Sequence, residues 1–196
     1  MRLKEGNKEK DIIEASINIF AEKGFHNSKI SDIAKEANVA TGSVYRYFKN
    51  KEDIIISIFE ELWETLFVKM EKLTNTKSVS PLDKLDKIID MIFDLFADNP
   101  ALGVVFVNEQ NNMILAKENK FAVYYNKFLD LGVAALKEGQ EESIISKTID
   151  PEIFRHFAFG AIRNLIHMWA QDQEKYPLSK IRFNIKFIIQ SGIKIK

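Results

Sequence analysis

Apolar residues recur at the three- and four-residue spacing of an α-helix along nearly the whole of this chain. In the first such segment Ile12, Ala15, Ile19 and Phe20 lie on one face, with Lys and Glu between them. Similar rows follow down to the last residues. Because amphipathic helices bury their apolar faces against each other, the pattern predicts an all-α fold of about nine helices.

Start signals divide the chain into separate helices. The pairs Ser80-Pro81, Asn99-Pro100 and Asp150-Pro151 each place an N-capping side chain before a proline in the first turn. Ser28 and Asn50 are further candidate N-caps, for a short second helix and for a long fourth helix that runs to about residue 73. Together these signals predict where five of the helices begin.

Stop signals are fewer. Gly24 predicts the end of the first helix, and Gly139 predicts the end of a long helix over about 113–138. The polar run Asn108–Asn112 predicts a break before that helix. A short apolar helix is therefore expected to end at Val107.

The last two segments differ from the others. The segment from Asp150 to about Gln171 is apolar on more than one face, so it needs two packing partners, and we expect the second to be another copy of the chain.

In residues 178–195 the apolar side chains alternate as in a strand but also fit the spacing of a helix. A helix is predicted because no other strand exists to satisfy the backbone of a lone one.

Composition excludes several classes of protein. Cysteine is absent, which excludes disulfides, thiol catalysis and thiolate zinc sites. The three histidines lack a carboxylate cluster, so we predict no metal site, no cofactor and no enzyme. No apolar run approaches the roughly 20 residues that span a bilayer, and the charged N-terminus lacks the apolar core of a signal peptide. We expect a cytoplasmic protein that does not engage membranes.

Charge is distributed unevenly although the formal net charge is zero. Residues 1–51 contain ten Lys and Arg against seven Asp and Glu, which leaves +3 there and −3 in residues 52–196. This basic bias at the N-terminal end is compatible with DNA contact, and solvated helix faces explain it equally well.

Two short helical segments near the N-terminus are separated by about three residues, which is the spacing of a helix-turn-helix. The second segment would enter the major groove. It begins with Thr41, Gly42 and Ser43, where free backbone N–H groups favour phosphate and Gly42 permits close approach.

Polar and aromatic side chains follow in the same segment. Arg46 suits a bidentate contact with guanine, whereas Tyr45, Tyr47 and Lys51 suit phosphates, which position a domain without specifying sequence. The alternative from pattern alone is that the two tyrosines pack between helices.

The run from Gly24 to Ile54 resembles the DNA-binding domain of the TetR family of repressors, with the Gly-Phe, Ile-Ala, Val, Gly, Tyr, Tyr-Phe and Lys-Glu positions at the family's spacing. The resemblance implies a three-helix DNA-binding domain over residues 1–51 and a ligand-binding and dimerisation bundle over 52–196. Dimers would form through the last two long helices. Two positions depart from the family: Lys29 replaces a Thr or Ser, and Ala40 replaces a capping Ser.

Carried over by position, the resemblance and the pattern together assign a set of DNA-facing residues. These are Ser28, Thr41, Gly42, Ser43, Tyr45, Arg46, Tyr47 and Lys51.

The C-terminal part resembles the branch of this family that regulates fatty-acid degradation in response to long-chain acyl-CoA, through Phe128-Leu129-Asp130, Glu138-Gly139, Phe159-Gly160 and Trp169. Relatives carry arginines in the segment equivalent to 108–115, where this chain has none. Lys117, Lys120 or Arg163 would have to replace them.

Fifteen phenylalanines favour an apolar effector, and an elongated lipid, an aromatic drug-like molecule and no ligand at all remain open. The residues predicted to line the pocket are Trp63, Phe67, Phe93, Phe96, Phe106, Phe121, Tyr124, Tyr125, Phe128 and Phe157.

These observations and the resemblance predict a repressor that binds a palindromic operator in double-stranded DNA as a homodimer and is released by a small apolar effector, such as a long-chain fatty acid or acyl-CoA. The residues do not exclude activation instead of repression. A helical protein-binding module would leave the polar face around Tyr45 without a role.

Overall fold

The computed structural model describes residues 8–115 and 120–194, with their side chains apart from those of 111–115, 120 and 121. Within these ranges the regular structure consists of nine α-helices, and the one β contact is a single bridge between Ile145 and Lys194. The all-α prediction is confirmed. The helices are α1 (Lys8–Lys23), α2 (Ile30–Glu36), α3 (Thr41–Tyr47), α4 (Lys51–Thr74), α5 (Pro81–Ala97), α6 (Pro100–Leu115), α7 (Lys120–Glu141), α8 (Pro151–Gln171) and α9 (Leu178–Ile193).

The N-terminal helices α1, α2 and α3 pack on one another. α1 ends before Gly24, whose φ of +76° is the left-handed conformation expected of a helix stop. The N-cap of α2 is Lys29, so the prediction of Ser28 as the cap is wrong. The Ser28 side chain is buried and its hydroxyl donates to the carbonyl oxygen of Gly24 at 2.6 Å, which turns it away from α2.

α4 connects these helices to the rest of the molecule. Asn50 is its N-cap, as predicted, and accepts a hydrogen bond from the backbone N–H of Asp53 at 2.8 Å. The helix has 24 residues and is therefore about 36 Å long. It contacts α1, α5 and α7, so one rigid element is shared by both parts of the fold.

The C-terminal bundle contains α5 to α9, and its three predicted N-cap and proline starts are confirmed by cap geometry. Ser80 accepts from the backbone N–H of Asp83, Asn99 accepts from that of Leu102, and Asp150 accepts from the two N–H groups that follow Pro151. Across the bundle, the buried ammonium of Lys84 lies 2.7 Å from both carboxylate oxygens of Glu138. Because a buried charge is tolerated only when it is paired, this contact holds α5 against α7.

The break predicted at the polar run 108–112 is wrong, since α6 continues without interruption from Pro100 to Leu115. Glu109 and Gln110 are only 8% and 1% exposed. The side chains of these two residues face the interior, so this part of the run packs against the bundle and is not a solvated loop. α7 begins correspondingly later, at Lys120 instead of about 113.

The prediction that Gly139 ends α7 is wrong, because the helix extends to Glu141 and the glycine lies inside it. A Cβ atom at this position would lie 2.5 Å from Cδ1 of the buried Ile145 and 3.1 Å from Cβ of Pro81. The glycine is therefore needed for close packing of the segment that follows the helix, and not for its termination.

The final segment is helix α9, which confirms the prediction of a helix over an apparently alternating sequence. Ile181, Ile185 and Ile189 of this helix are buried, at the spacing of one helical face. None of the helices in the described ranges is both long and apolar enough to cross a lipid bilayer.

Candidate DNA-binding surface and ligand cavity

α3 is attached to the fold by one face and displays the other. Val44 and Phe48 are buried, whereas Tyr45 is 56% exposed and Tyr47 is 38% exposed. The guanidinium of Arg46 is also exposed and lies 6.0 Å from the centroid of the Tyr47 ring. The exposure of both rings argues against the alternative that they pack between helices.

The remaining residues expected on α3 lie at its start. Thr41 and Gly42 are exposed and Ser43 is half-buried. An added Cβ on Gly42 would meet nothing within 4 Å, so the backbone is open to an approaching group. Lys49, directly after the helix, is a further exposed cation that the sequence analysis did not single out. The structure thus brings six of the eight predicted DNA-facing residues to one short helix.

The other two predicted DNA-facing residues, Ser28 and Lys51, have contacts inside the protein. The hydroxyl of Ser28 is buried, so its assignment as a DNA-facing residue is corrected. The ammonium of Lys51 donates to the backbone carbonyl oxygens of Phe25, His26 and Ser28, at 2.5, 3.1 and 3.0 Å. These acceptors use all three of its protons, so its role is to join α4 to the α1–α2 turn.

An ion pair between the end of α1 and the start of α2 supports the same turn. The ammonium of Lys23 lies 3.3 Å from the carboxylate of Asp32. The hydrogen bond from Lys23 holds the pKa of Asp32 below its ordinary value. α1 and α2 are therefore connected at their adjoining ends by charge as well as by packing.

The helical bundle contains a partly open apolar cavity of about 60 Å³. Five helices contribute to it, and α5, α7 and α8 contribute most. The lining residues are Met70, Leu85, Ile88, Ile89, Ile92, Phe128, Leu129, Gly132, Val133, Phe154, Arg155, Ala158, Phe159, Ile162 and Ile189. The cavity thus touches α4, the helix that begins next to the α1–α3 helices.

Among the ten residues predicted to line a pocket, Phe128 borders this cavity. Trp63, Phe96, Phe106 and Tyr125 pack instead in an aromatic cluster beside it, in which the rings of Trp63 and Phe128 are 4.8 Å apart. Rings nested this closely fill space and do not enclose it.

The other predicted pocket residues are dispersed. Phe93 is buried beneath Arg182, and Phe67 and Tyr124 form a half-buried pair 6.0 Å apart. Phe157 is 59% exposed on the outer surface and does not border this cavity. The side chain of Phe121 lies outside the described residues.

Sequence analysis missed the aliphatic residues of α5 and α8 because it followed the aromatic ones. Gly132 is a sequence signal for the cavity, because it is a helix-breaking residue inside α7. A Cβ atom added to it would have no other atom within 4 Å. A glycine that costs helix stability without relieving a clash is a candidate for a position that borders empty space.

Polar side chains adjoin the aromatic end of the cavity. The phenol of Tyr125 has a pKa above its ordinary value because burial disfavours the charged form, although Arg155 and Arg163 oppose this. Arg163 also donates from Nη2 to the carbonyl oxygen of Val107. Of the cations considered as replacements for the missing arginines, Arg163 is described here, whereas Lys117 and the side chain of Lys120 lie outside the described residues.

The outer face of α8 and α9 carries large apolar side chains in water. Ile153 and Phe157 of α8 are 72% and 59% exposed, and Phe183, Phe187 and Ile188 of α9 are 60–70% exposed. The rings of Phe183 and Phe187 stack on each other with centroids 6.4 Å apart. We call these five residues the outer apolar face.

Two family models together match nearly the whole chain. Residues 12–58 match the model of bacterial regulatory proteins of the tetR family, and residues 59–192 match that of the C-terminal region of YsiA-like protein.

Among curated proteins, the fatty acid metabolism regulator protein of Bacillus subtilis is 33% identical over 185 residues, covering 94% of this chain and 95% of that protein. The transcriptional repressor KstR2 of Mycolicibacterium smegmatis is 24% identical over 148 residues, covering 75% and 72%.

Solved structures of two regulators named FadR also superpose on nearly the whole chain. The fatty acid degradation regulator FadR from Bacillus halodurans superposes with a TM-score of 0.79 at 29% identity, covering 95% of this chain and 96% of that one. FadR from Bacillus subtilis in complex with stearoyl-CoA superposes with a TM-score of 0.76 at 31% identity, covering 94% and 98%.

Proposed function

The chain belongs to the TetR family of bacterial regulatory proteins, and on that basis we propose that it is a homodimeric repressor which leaves a palindromic operator when a long-chain acyl-CoA enters its helical bundle. As a member of this family it is a DNA-binding, ligand-responsive transcriptional regulator and not an enzyme. Such a regulator works in the cytoplasm, where the DNA is. The dimer, the palindrome and the ligand are the proposed parts.

The observation that carries the ligand assignment is the apolar cavity lined by α4, α5, α7, α8 and α9. Its lining is mostly aliphatic, which suits a flexible alkyl chain better than a planar aromatic molecule. The FadR structure at 31% identity holds stearoyl-CoA. Because residues 108–115 lack arginine, the phosphates of the CoA group need other cations, and we assign this role to Arg163.

The size of the cavity supports a coupling between ligand and DNA. Ligand pockets commonly measure roughly 300–1,000 Å³, whereas this cavity measures about 60 Å³. A long acyl chain therefore cannot enter without moving the surrounding helices apart. The helices around the cavity must therefore be arranged differently with and without the ligand. A ligand can shift the equilibrium between two conformations only if it binds one of them better than the other.

α4 transmits this movement. Met70 borders the cavity, and Lys51, at the start of the same helix, holds the α1–α2 turn. These residues are 19 positions apart, or about 28 Å along the helix. A tilt of about 5° at Met70 would displace the other end by roughly 2–3 Å. Recognition helices of a dimer must lie about one DNA turn apart, roughly 34–36 Å, so this displacement weakens operator binding.

The outer apolar face supports a dimer through α8 and α9. Exposed patches of large apolar side chains mark interaction sites on soluble proteins. A groove of about 500 Å³ between the two helices, bordered by Phe157, Leu165 and Ile188, adjoins this face and offers space for side chains of a second copy. In a two-fold dimer the same face is used twice, which is compatible with a palindromic target.

The experiment selects DNA with the protein itself. Duplexes enriched from a random library are sequenced, and the best one is titrated by fluorescence anisotropy with and without stearoyl-CoA. We expect palindromic sequences and at least a tenfold loss of affinity with the ligand, whereas coenzyme A alone has no such effect. Enrichment of no sequence, or an unchanged Kd with stearoyl-CoA, would overturn the proposal.

Arg46→Ala supplies a matched control because this residue is exposed and takes no part in the bundle. Its operator affinity should fall, by roughly 1–3 kcal/mol if it contacts a guanine. Its affinity for stearoyl-CoA, measured by calorimetry, should equal that of the wild type.

A further inference from the structure

Arg155 is the one charged residue that borders the cavity in the described part of the chain. Its Nη1 lies 3.0 Å from a carboxylate oxygen of Asp130 and 3.5 Å from one of Glu152. Its Nε is buried, and no acceptor lies within hydrogen-bond distance of it among the described residues. Nη1 of the guanidinium is therefore paired and Nε–H is not, in a residue that borders an apolar space.

A buried N–H group without an acceptor is uncommon and costs free energy. The oxygen that satisfies it comes from water or from a ligand that enters the cavity. Asp130 and Glu152 cannot supply it, because they already share Nη1 and their side chains are 68% and 62% exposed. Their exposure also shows that this end of the cavity lies next to solvent.

The charges around Arg155 select the kind of oxygen. The guanidinium carries one positive charge and already faces two carboxylates, so a third anion would be repelled. A neutral carbonyl oxygen accepts a hydrogen bond without that repulsion. An acyl thioester has such an oxygen at the junction between its alkyl chain and its polar head.

We propose that Arg155 recognises the carbonyl oxygen of a bound acyl thioester through its Nε–H and so determines where the acyl chain begins in the cavity. The inference rests on the function proposed above. Asp130 and Glu152 are positioning residues, since they hold the guanidinium at the solvent side of the site. The alkyl chain then extends past Ala158 and Phe159 toward α5.

The test compares two ligands that differ in a single oxygen. Palmitoyl-CoA has the carbonyl, whereas the thioether S-hexadecyl-CoA has a methylene in its place. Binding of each to the full-length protein is measured by calorimetry. The wild type should bind the thioester about tenfold or more tightly than the thioether. In Arg155→Lys, which keeps the positive charge but lacks Nε–H, that ratio should fall to about one.

Arg182→Lys is the matched control, because it makes the same replacement at an arginine that does not border the cavity and pairs with Asp94 instead. Its ratio should stay at the wild-type value. Equal binding of both ligands by the wild type, or an undiminished ratio in Arg155→Lys, would overturn this inference alone. Binding of neither ligand by the wild type would overturn the proposed function instead.

Discussion

The ammonium of Lys51 lies 4.6 Å from the centroid of the Phe25 ring and donates a hydrogen bond to the carbonyl oxygen of the same residue. Phe25 belongs to the turn between α1 and α2, and Lys51 is the first residue of α4. The contact therefore joins the helix that borders the ligand cavity to the helices that present α3. A change in the direction of α4 must move the turn with it.

Replacement of Lys51 by methionine should lower the free energy of unfolding by about 1–2 kcal/mol, because three carbonyl oxygens lose a charged donor in a half-buried site. The slope of log K against log salt should change by much less than one unit. Urea unfolding and operator titrations at several salt concentrations measure the two quantities. Lys49→Met, at the neighbouring exposed position, is the control and should leave stability unchanged. A full unit of slope lost in Lys51→Met would make it a phosphate contact after all.

Gly132→Leu should fill the cavity and make the repressor insensitive to its ligand. The new side chain enters a space of about 60 Å³ that is open beside the glycine. Operator binding should persist at stearoyl-CoA concentrations that release the wild type. Ala134→Leu adds the same side chain at an exposed position of the same helix and should respond normally. Normal release of Gly132→Leu would show that the ligand binds elsewhere.

Two glycines of α7 should respond to alanine in opposite directions. Gly132→Ala should stabilise the protein by roughly 0.5–1 kcal/mol, because its Cβ meets nothing and alanine favours the helix. Gly139→Ala should destabilise it by about 1–3 kcal/mol, because Cδ1 of Ile145 lies 2.5 Å from the new atom. Thermal unfolding of both variants checks the pair, and a gain in Gly139→Ala would mean that Ile145 has room to move.

Phe187→Lys should convert the dimer into a folded monomer. The side chain is 63% exposed within one chain, so the protomer does not need it for its own core. Two lysines brought together across a two-fold interface would repel each other. Sedimentation velocity reports the mass, and Val68→Lys, at a 58% exposed position of α4, should remain dimeric. A monomeric wild type would contradict the prediction before any variant is made.

Asp86→Asn should stabilise the protein at pH 7 and lose this advantage in acid. Burial is the main cause that raises the pKa of Asp86 above its ordinary value. The folded state thus favours the protonated carboxyl, whose stabilisation is present below the ordinary pKa and is lost as pH rises through the raised one. We expect a gain below about 1 kcal/mol at pH 7, since the site is partly solvated. Asp94→Asn, which removes an exposed partner of Arg182, should not raise the free energy of unfolding at pH 7 or in acid.

Helix starts and the DNA-binding surface were predictable from neighbouring residues. Asn50 and Asp150 cap their helices through hydrogen bonds to N–H groups two or three positions away, so the signal is local. Val44 is the apolar residue of a polar segment, and that contrast indicates which face of α3 is buried. The same reasoning failed for Lys51, whose acceptors lie in the α1–α2 turn, far away in the chain. It failed for Ser28 because the hydroxyl turns back to Gly24 instead of facing α2.

The sequence predicts that helices are interrupted at 108–112 and at Gly139, and both predictions are wrong. Whether a helix ends at such positions depends on packing against other helices, which neighbouring residues in the chain do not reveal. A polar run ends a helix if it is solvated, and Gln110 is instead buried. A glycine ends a helix if its backbone turns, and Gly139 instead makes room for Ile145.

Short-range information in the chain was thus sufficient for the helices, their caps and the exposed face of α3, because hydrogen bonds and periodicity act within one or two turns. The assembled bundle was needed to identify the cavity and its arginine. Whether an aromatic ring fills space, as Trp63 does, or a glycine borders it, as Gly132 does, depends on side chains brought together from five helices. Packing is collective, and no single segment contains it.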